Sequence, residues 1–243
     1  MCTVSFLPQG HGFFLAMNRD EQKSRPRALP PRRHQTGAHV SLYPSERSGG
    51  TWIGVSDAGL TLALINWYAK PQRDRSLCLS RGIVIPDLLA ASDPRELALR
   101  VKSLPLPELN PFRLIAVFAP AREIREWRWD GKSVASKRVS WEHRHWFSSG
   151  YDEALVNRKR RPLVREIAET PAAIRKLHRA HEPERGAFSI CMHRDVAETV
   201  SYTEIAVTRK EARLAYAAGA PCAKKIGAPR ILSLTRGHKP QPR

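Results

Sequence analysis

Cys2-Thr3-Val4-Ser5-Phe6-Leu7-Pro8-Gln9-Gly10-His11-Gly12-Phe13-Phe14-Leu15-Ala16-Met17-Asn18-Arg19-Asp20 reads as a β-hairpin. Thr3–Leu7 and Phe13–Met17 are strand-like runs, and the glycine-rich Pro8–Gly12 between them is a turn. A turn centred between Gly10 and His11 pairs Val4 with Met17, Phe6 with Leu15 and Cys2 with Arg19. A slip of one residue would pair Cys2 with Asp20 but set Val4 against Asn18. The apolar stripe selects the first register, because a slip sends every side chain to the other face. In either register Cys2 lies beside Asn18-Arg19-Asp20-Glu21.

Position 2 matters because it is a cysteine directly after the initiator methionine. Removal of Met1 leaves one residue with both a thiol and a free α-amino group. That amine, with a pKa of roughly 7.7–8.0, is far less protonated at neutral pH than a lysine. It can serve as base for its own thiol, the logic of N-terminal nucleophiles. A cysteine here is also a small hydrophobe that suits burial, so neighbouring residues carry the argument.

Further along, Arg25–Ser48 reads as a long loop rich in Pro, Arg and Ser. A second hairpin joins Gly50–Val55 to Leu60–Asn66 through Ser56-Asp57-Ala58-Gly59. Its second arm is apolar on both faces, as in a strand inside stacked layers. Helices are expected at Leu79–Ala90 and Pro94–Ser103, the latter capped by Ser92 or Asp93, at Asp152–Glu169, and from Thr170-Pro171 to about His181. Strands are expected at Phe112–Ala119, Ile124–Trp129, Ser133–Val139, Ala187–Met192, Thr199–Val207 and Arg213–Ala217. Sheets buried on both faces need covering layers. The order of strands, helices, strands, helices, strands therefore predicts an α+β domain, a four-layer αββα sandwich. We expect it to span residues 1–230, with a basic, flexible tail at 231–243.

The 243 residues, 42% of them hydrophobic, suit a single globular domain. No apolar run approaches the ~20 residues that span a bilayer, and no secretory signal opens the chain. The four cysteines form no Cys-x-x-Cys pair. No zinc or disulfide framework is therefore expected, and a reducing, cytoplasmic setting fits. Lys and Arg number 41 against 23 Asp and Glu, a net charge of +18. The basic residues are dispersed and accompany no base-reading motif. The expected partner is a small anionic ligand or substrate, or the surface of an acidic membrane touched peripherally, and not a specific nucleic acid.

Attack on a carbonyl needs a nucleophile, a proton acceptor and donors for the oxyanion. Cys2 with its amine offers the first two. Arg19 across the hairpin would favour the thiolate. Asp20 would hold the α-ammonium. Asn66, ending a buried strand, would donate to the oxyanion. His193 and Ser201 sit close enough in sequence to meet across a hairpin, although alternation on an outer face explains them better.

Met1-Cys2-Thr3, Asn18-Arg19-Asp20-Glu21, Gly49-Gly50-Thr51-Trp52-Ile53-Gly54 and Gly59–Asn66, in this order, resemble the NRDE family, which includes the transport and Golgi organisation protein 2 group. A more distant resemblance is to cysteine N-terminal nucleophile (Ntn) hydrolases of the choloylglycine hydrolase and penicillin V acylase type. It implies the Ntn-hydrolase fold, with Cys2 as nucleophile, Asp20 holding the amine and Asn66 lining the oxyanion hole. It also implies a second asparagine in mid-chain, where residues 147–150 hold none and Asn157 falls in a predicted helix. Two activities are implied: hydrolysis or transfer of an acyl group from an amide or thioester of a small anionic molecule, with no cofactor or metal, or non-catalytic carriage of haem or acyl-coenzyme A-type lipids.

Overall fold

In the computed structural model, which describes residues 2–165 and 167–235, two antiparallel sheets face each other and helices cover their outer faces. The first sheet is built on β1 (Cys2–Gln9) and β2 (Gly12–Gln22). Their register pairs Cys2 with Arg19, Val4 with Met17 and Phe6 with Leu15, as the apolar stripe requires. The other sheet runs from β3 (Leu29–Thr36) and β4 (His39–Ser45) through β5 (Ile53–Ser56) and β6 (Leu60–Asn66) to β7 (Phe112–Phe118), β8 (Glu123–Trp129) and β9 (Val134–Val139). These seven strands lie in chain order, with β3 and β9 at the edges. The first sheet is completed by β10 (Arg144–Ser148), β11 (Ala197–Val207), β12 (Glu211–Ala217) and β13 (Arg230–Ser233), in the order β10-β1-β2-β11-β12-β13.

Alternation assigns each side chain to a layer. Val4, Phe6, Leu15 and Met17 meet Val55, Ala63, Ile65, Ile115 and Val117 between the sheets. The alternate residues Leu60, Leu62, Leu64, Leu114 and Ala116 face outward, onto α1 (Val84–Leu88) and α2 (Pro94–Lys102). The doubly apolar arm at Leu60–Asn66 is thus buried on both sides, and the αββα layering is as expected. Asp93 caps α2 by accepting from the Arg95 and Glu96 amides. No helix among the described residues is long and apolar enough to cross a membrane.

Several expectations change. Arg25–Ser48 is largely a hairpin, β3–β4, turning at Gly37 with φ +61°. Pro30 and Pro31 are tolerated there because β3 is an edge strand. Strand β13 buries Leu232 against the core, so the sheet extends past residue 230. The remainder of the expected tail, 236–243, lies outside the described residues, as does Met1. Residues 187–192 form coil, because side chains take the place of a ladder partner. Arg160 donates to the Phe188 and Ser189 carbonyls, and Asn18 donates to that of Ile190.

Beneath α3 (Glu153–Arg165) and α4 (Pro171–Arg179) the outer layer of the first sheet combines apolar contacts, Leu7, Phe14 and Ala16 on Ile174 and Phe147 on Leu177, with a buried polar network. Arg160 is fully buried, with its third bond to Thr3 Oγ1 at 3.0 Å. Ser5 Oγ lies 2.7 Å from His145 Nδ1 and 2.8 Å from His178 Nε2. His178 Nδ1 lies 3.0 Å from Asn18 Oδ1, while Asn18 Nδ2 donates to the His178 and Ile190 carbonyls. An amide oxygen only accepts, so His178 carries its proton on Nδ1 and receives the Ser5 hydroxyl at Nε2; Ser5 then accepts from His145 Nδ1. Each of these contacts then has one donor and one acceptor with both imidazoles neutral, and only the buried His145 Nε2 of the two rings is left without a partner among the described residues. Burial accordingly pushes both histidines down to about 3.

Two predictions follow from this layer. A histidine neutral when folded but with a pKa near 6.5 when unfolded costs stability as pH falls below ~6.5, at about 1.4 kcal/mol per pH unit each. Urea unfolding should therefore show stability lower by roughly 3–4 kcal/mol at pH 5 than at pH 7, with close to two protons taken up on unfolding. A flat profile across that window would contradict the neutral network. Arg160→Met should cost about 3 kcal/mol or more, since it strands two carbonyls and a hydroxyl, and Arg160→Lys should not restore the loss because it lacks the planar fork of donors.

Candidate active site

Cys2, Arg19, Asp20 and Asn66 line one pocket of about 240 Å³. Cys2 starts β1, Arg19 and Asp20 come from β2, and Asn66 is the last residue of β6, opposite Phe112. All four sequence candidates are thus brought together.

Glycine contacts build the pocket wall. A Cβ on Gly50 would meet the Gly82 backbone at 3.0 Å, so the two chains touch directly. The Thr51 amide donates to the Gly82 carbonyl at 2.9 Å. This contact brings Cys78, Ser80 and Arg81 into the lining. Thr51 Oγ1 ties the segment down through the Pro44 carbonyl, at 2.5 Å. Trp52 lies beneath Arg19, its ring centre 4.3 Å from the guanidinium carbon. The Gly-Gly-Thr-Trp run is therefore a scaffold for the pocket.

The charges are arranged in pairs. Arg19 bonds to Glu46 at 2.7 Å and approaches Glu21 at 3.5 Å, while Arg25 reaches both carboxylates at 2.9 Å. Burial pushes Glu21 up, but the Gln22 amide, Arg19 and Arg25 outweigh it and hold the carboxyl below its usual range. Arg19 is thus largely spent on carboxylates, which weakens its expected pull on the thiol. Burial pushes the Cys2 thiol up, and the Asp20 charge adds to this; the Asp20 backbone N–H and Arg19 offset it only in part. A thiol held protonated at rest needs a base during reaction.

Asp20 is 3% exposed and accepts from Thr199 Oγ1 at 2.6 Å. A bulge between Thr199 and Ser201, where β11 meets β2, aims that hydroxyl. Burial raises the Asp20 carboxyl, and the charge of Arg160 is the largest influence opposing it. Asn66 Nδ2 donates to the Tyr68 hydroxyl at 2.7 Å, and the Tyr68 amide is held by Glu153 Oε2 at 2.9 Å.

The lining outside the sequence motifs includes a further amide and a further thiol. Asn110 is a second mid-chain amide, but it is tied to the Arg73 backbone, accepting at 2.8 Å and donating at 3.2 Å. Cys78 is a second thiol in the pocket. Asn157 instead bonds the Glu153 carbonyl within α3 and lines a different groove. Arg160, which neighbours Asp20 electrostatically, had one readable signal: it falls four residues after Val156 on the buried stripe of an amphipathic helix. No hydrogen bond joins His193 to Ser201 among the described residues. His193 turns instead toward Cys191, Cys222 and His181, so two cysteines and two histidines gather despite the lack of a Cys-x-x-Cys pair.

Solved structures with this architecture include penicillin V acylase from Agrobacterium tumefaciens, at TM-score 0.56 and 13% identity, covering 88% of this chain and 82% of that one. A Cys-to-Ala mutant of conjugated bile acid hydrolase from Clostridium perfringens matches at TM-score 0.54 and 9% identity, covering 97% of each chain. An Arg-to-Leu variant of the same hydrolase matches at 0.54 and 9%, covering 98% and 99%. The fold is that of the Ntn hydrolases. No curated protein matches the sequence. A sequence model of the family described as Transport and Golgi organisation 2 (TANGO2) matches residues 1–153, which carry the Cys2 hairpin, the Asn18–Glu21 tetrapeptide and the Gly-Gly-Thr-Trp wall, and the chain belongs to that family.

Proposed function

We propose that this protein is a cysteine N-terminal nucleophile enzyme that hydrolyses, or transfers the acyl group of, an amide or thioester. The observation that carries the reading is the convergence of Cys2, Asp20 and Asn66 in one pocket. Once Met1 is removed, the α-amine takes the Cys2 thiol proton as sulfur attacks the carbonyl carbon. The tetrahedral oxyanion is met by an amide N–H of Asn66, whose side chain is fixed by its bond to Tyr68. The amine returns the proton to the leaving nitrogen or sulfur, and a thioester remains on Cys2. Water, deprotonated by the same amine, or an acyl acceptor then releases the product and restores the thiol. Asp20, with Thr199 on one oxygen, orients the ammonium form.

Pocket size favours reaction over carriage of haem or an acyl-coenzyme A lipid. About 240 Å³ falls below the roughly 300–1,000 Å³ that encloses a drug-sized ligand. Only the reacting end of a substrate would enter. The lining sets Arg19, Arg25 and Arg81 against Asp20, Glu21 and Glu46, so the basic excess lies elsewhere. Some of it gathers in the groove beside α3, with Arg113, Arg128, Arg144, Arg158, Arg161 and Arg165. That groove, whose lining shares no residue with the Cys2 pocket, suits a small anionic ligand or an acidic membrane surface, and a reducing cytoplasm suits a thiol nucleophile.

Intact mass of protein purified from cells should lack Met1; full retention would remove the amine mechanism. An activated acyl probe should label wild type but not Cys2→Ala, and the label should survive Cys78→Ser. Asn66→Ala should keep the labelling but slow turnover by roughly 10²–10³. Equal labelling of wild type and Cys2→Ala would end the nucleophile reading. Binding to phosphatidylserine vesicles should fade steeply between about 50 and 200 mM salt, as should any nucleic-acid binding, without sequence preference.

A further inference from the structure

His181, Cys191, His193 and Cys222 come from three separate segments. His181 follows α4, Cys191 and His193 lie in the coil before β11, and Cys222 lies in the turn after β12. Their ligand atoms all lie within 4.8 Å of one another. His193 Nε2 is 3.3 Å from His181 Nε2, 3.6 Å from Cys191 Sγ and 3.4 Å from Cys222 Sγ.

Hydrogen bonding does not account for this arrangement. A neutral imidazole nitrogen carries one hydrogen or one lone pair, so it cannot serve three partners at once. A shared central ion can. Tetrahedral zinc, with Zn–S near 2.3 Å and Zn–N near 2.0–2.1 Å, has N–N edges of about 3.3 Å and S–N edges of about 3.6 Å. The three contacts match those edges to within about 0.2 Å.

We propose that the chain binds one Zn²⁺ through His181 Nε2, Cys191 Sγ, His193 Nε2 and Cys222 Sγ. Thiolate and imidazole donors suit zinc and exclude magnesium and calcium, which take oxygen. Four protein ligands close the coordination shell, so the site is structural and leaves no position for a reacting water. Binding releases both thiol protons, and two thiolates with Zn²⁺ sum to zero charge. That neutrality matters in a cleft where Lys23, Arg185 and Lys224 share the lining with His193.

The zinc would staple segments that have no ladder of their own. One of them supports the pocket. The Met192 amide donates to Thr199 Oγ1 at 2.8 Å, and that hydroxyl donates to Asp20 at 2.6 Å. The ion would thus fix the strand that positions Asp20 without touching the pocket itself.

The test uses the untagged full-length chain, purified under reductant. Elemental analysis should find about one zinc per chain. The chelated protein, titrated with cobalt, should develop the d–d bands of a tetrahedral site and a thiolate-to-cobalt charge-transfer band, saturating at one equivalent and bleached by zinc. Chelation should lower the thermal midpoint, and zinc should restore it. Cys222→Ser and His181→Asn, at half-exposed positions, should weaken zinc binding by at least about 10²-fold, and Cys78→Ser should leave it unchanged. The wild-type cobalt titration stands even if a variant fails to fold. A folded, reduced wild-type chain that takes up neither metal would overturn the proposal. So would a cobalt spectrum that survives the Cys191→Ser, Cys222→Ser double variant, or a Cys191–Cys222 disulfide that persists in the protein purified under reductant.

Discussion

The β1–β2 pair is buried on both faces, and a strand has only two faces to give. Val4, Phe6, Leu15 and Met17 fill the space between the sheets, so Thr3, Ser5 and Asn18 must point beneath α3 and α4. Polar groups there are tolerable only when fully bonded. Arg160, His145 and His178 supply the partners, and the coil at 187–192 turns its carbonyls toward Arg160 and Asn18. Cys2 and Arg19 inherit the inter-sheet face at the strand ends, where the apolar layer stops and the pocket begins.

The four residues Asn18 to Glu21 divide accordingly. Asn18 locks α4 and the coil onto the sheet. Arg19 and Glu21 belong to a ring of paired charges at the pocket, closed by Arg25 and Glu46. Asp20 lies on the other face, within the field of a fully buried arginine. A tetrapeptide that alternates faces thereby serves packing, pocket wall and charge placement at once. The coupling explains why the pocket cannot be separated from the helical layer: Thr3 is bonded to Arg160 and is the residue next to Cys2.

Local signals carried the parts of this fold that were legible. The Val4–Met17 stripe gave the register, Asp57-Ala58-Gly59 the second hairpin, and Asp93-Pro94 and Thr170-Pro171 two helix starts. Cys2, Arg19, Asp20 and Asn66 were legible as a set because three of them share one hairpin end. What stayed hidden depends on contacts distant in sequence. The β3–β4 hairpin looked like a loop because an edge strand admits Pro30, Pro31 and two arginines. Strand β13 is four residues long and exists through its pairing with β12. Ala187–Met192 has strand-like composition, yet side chains from α3 and β2 claim its carbonyls. The Cys191–Cys222 and His181–His193 cluster has no spacing signature, since its members are brought together by the end of β12 and the coil after α4.

The edges of the seven-stranded sheet have a consequence for the molecule in a crowd. Strand β3 presents Pro30 beside exposed Arg32 and Arg33, and β9 presents exposed Lys137 and Arg138. A neighbouring chain seeking to extend either ladder would meet a residue without an N–H on one side and like charge on both. The same arginines and lysines that make the protein so basic therefore act as a guard rail, turning sheet-to-sheet stacking into repulsion.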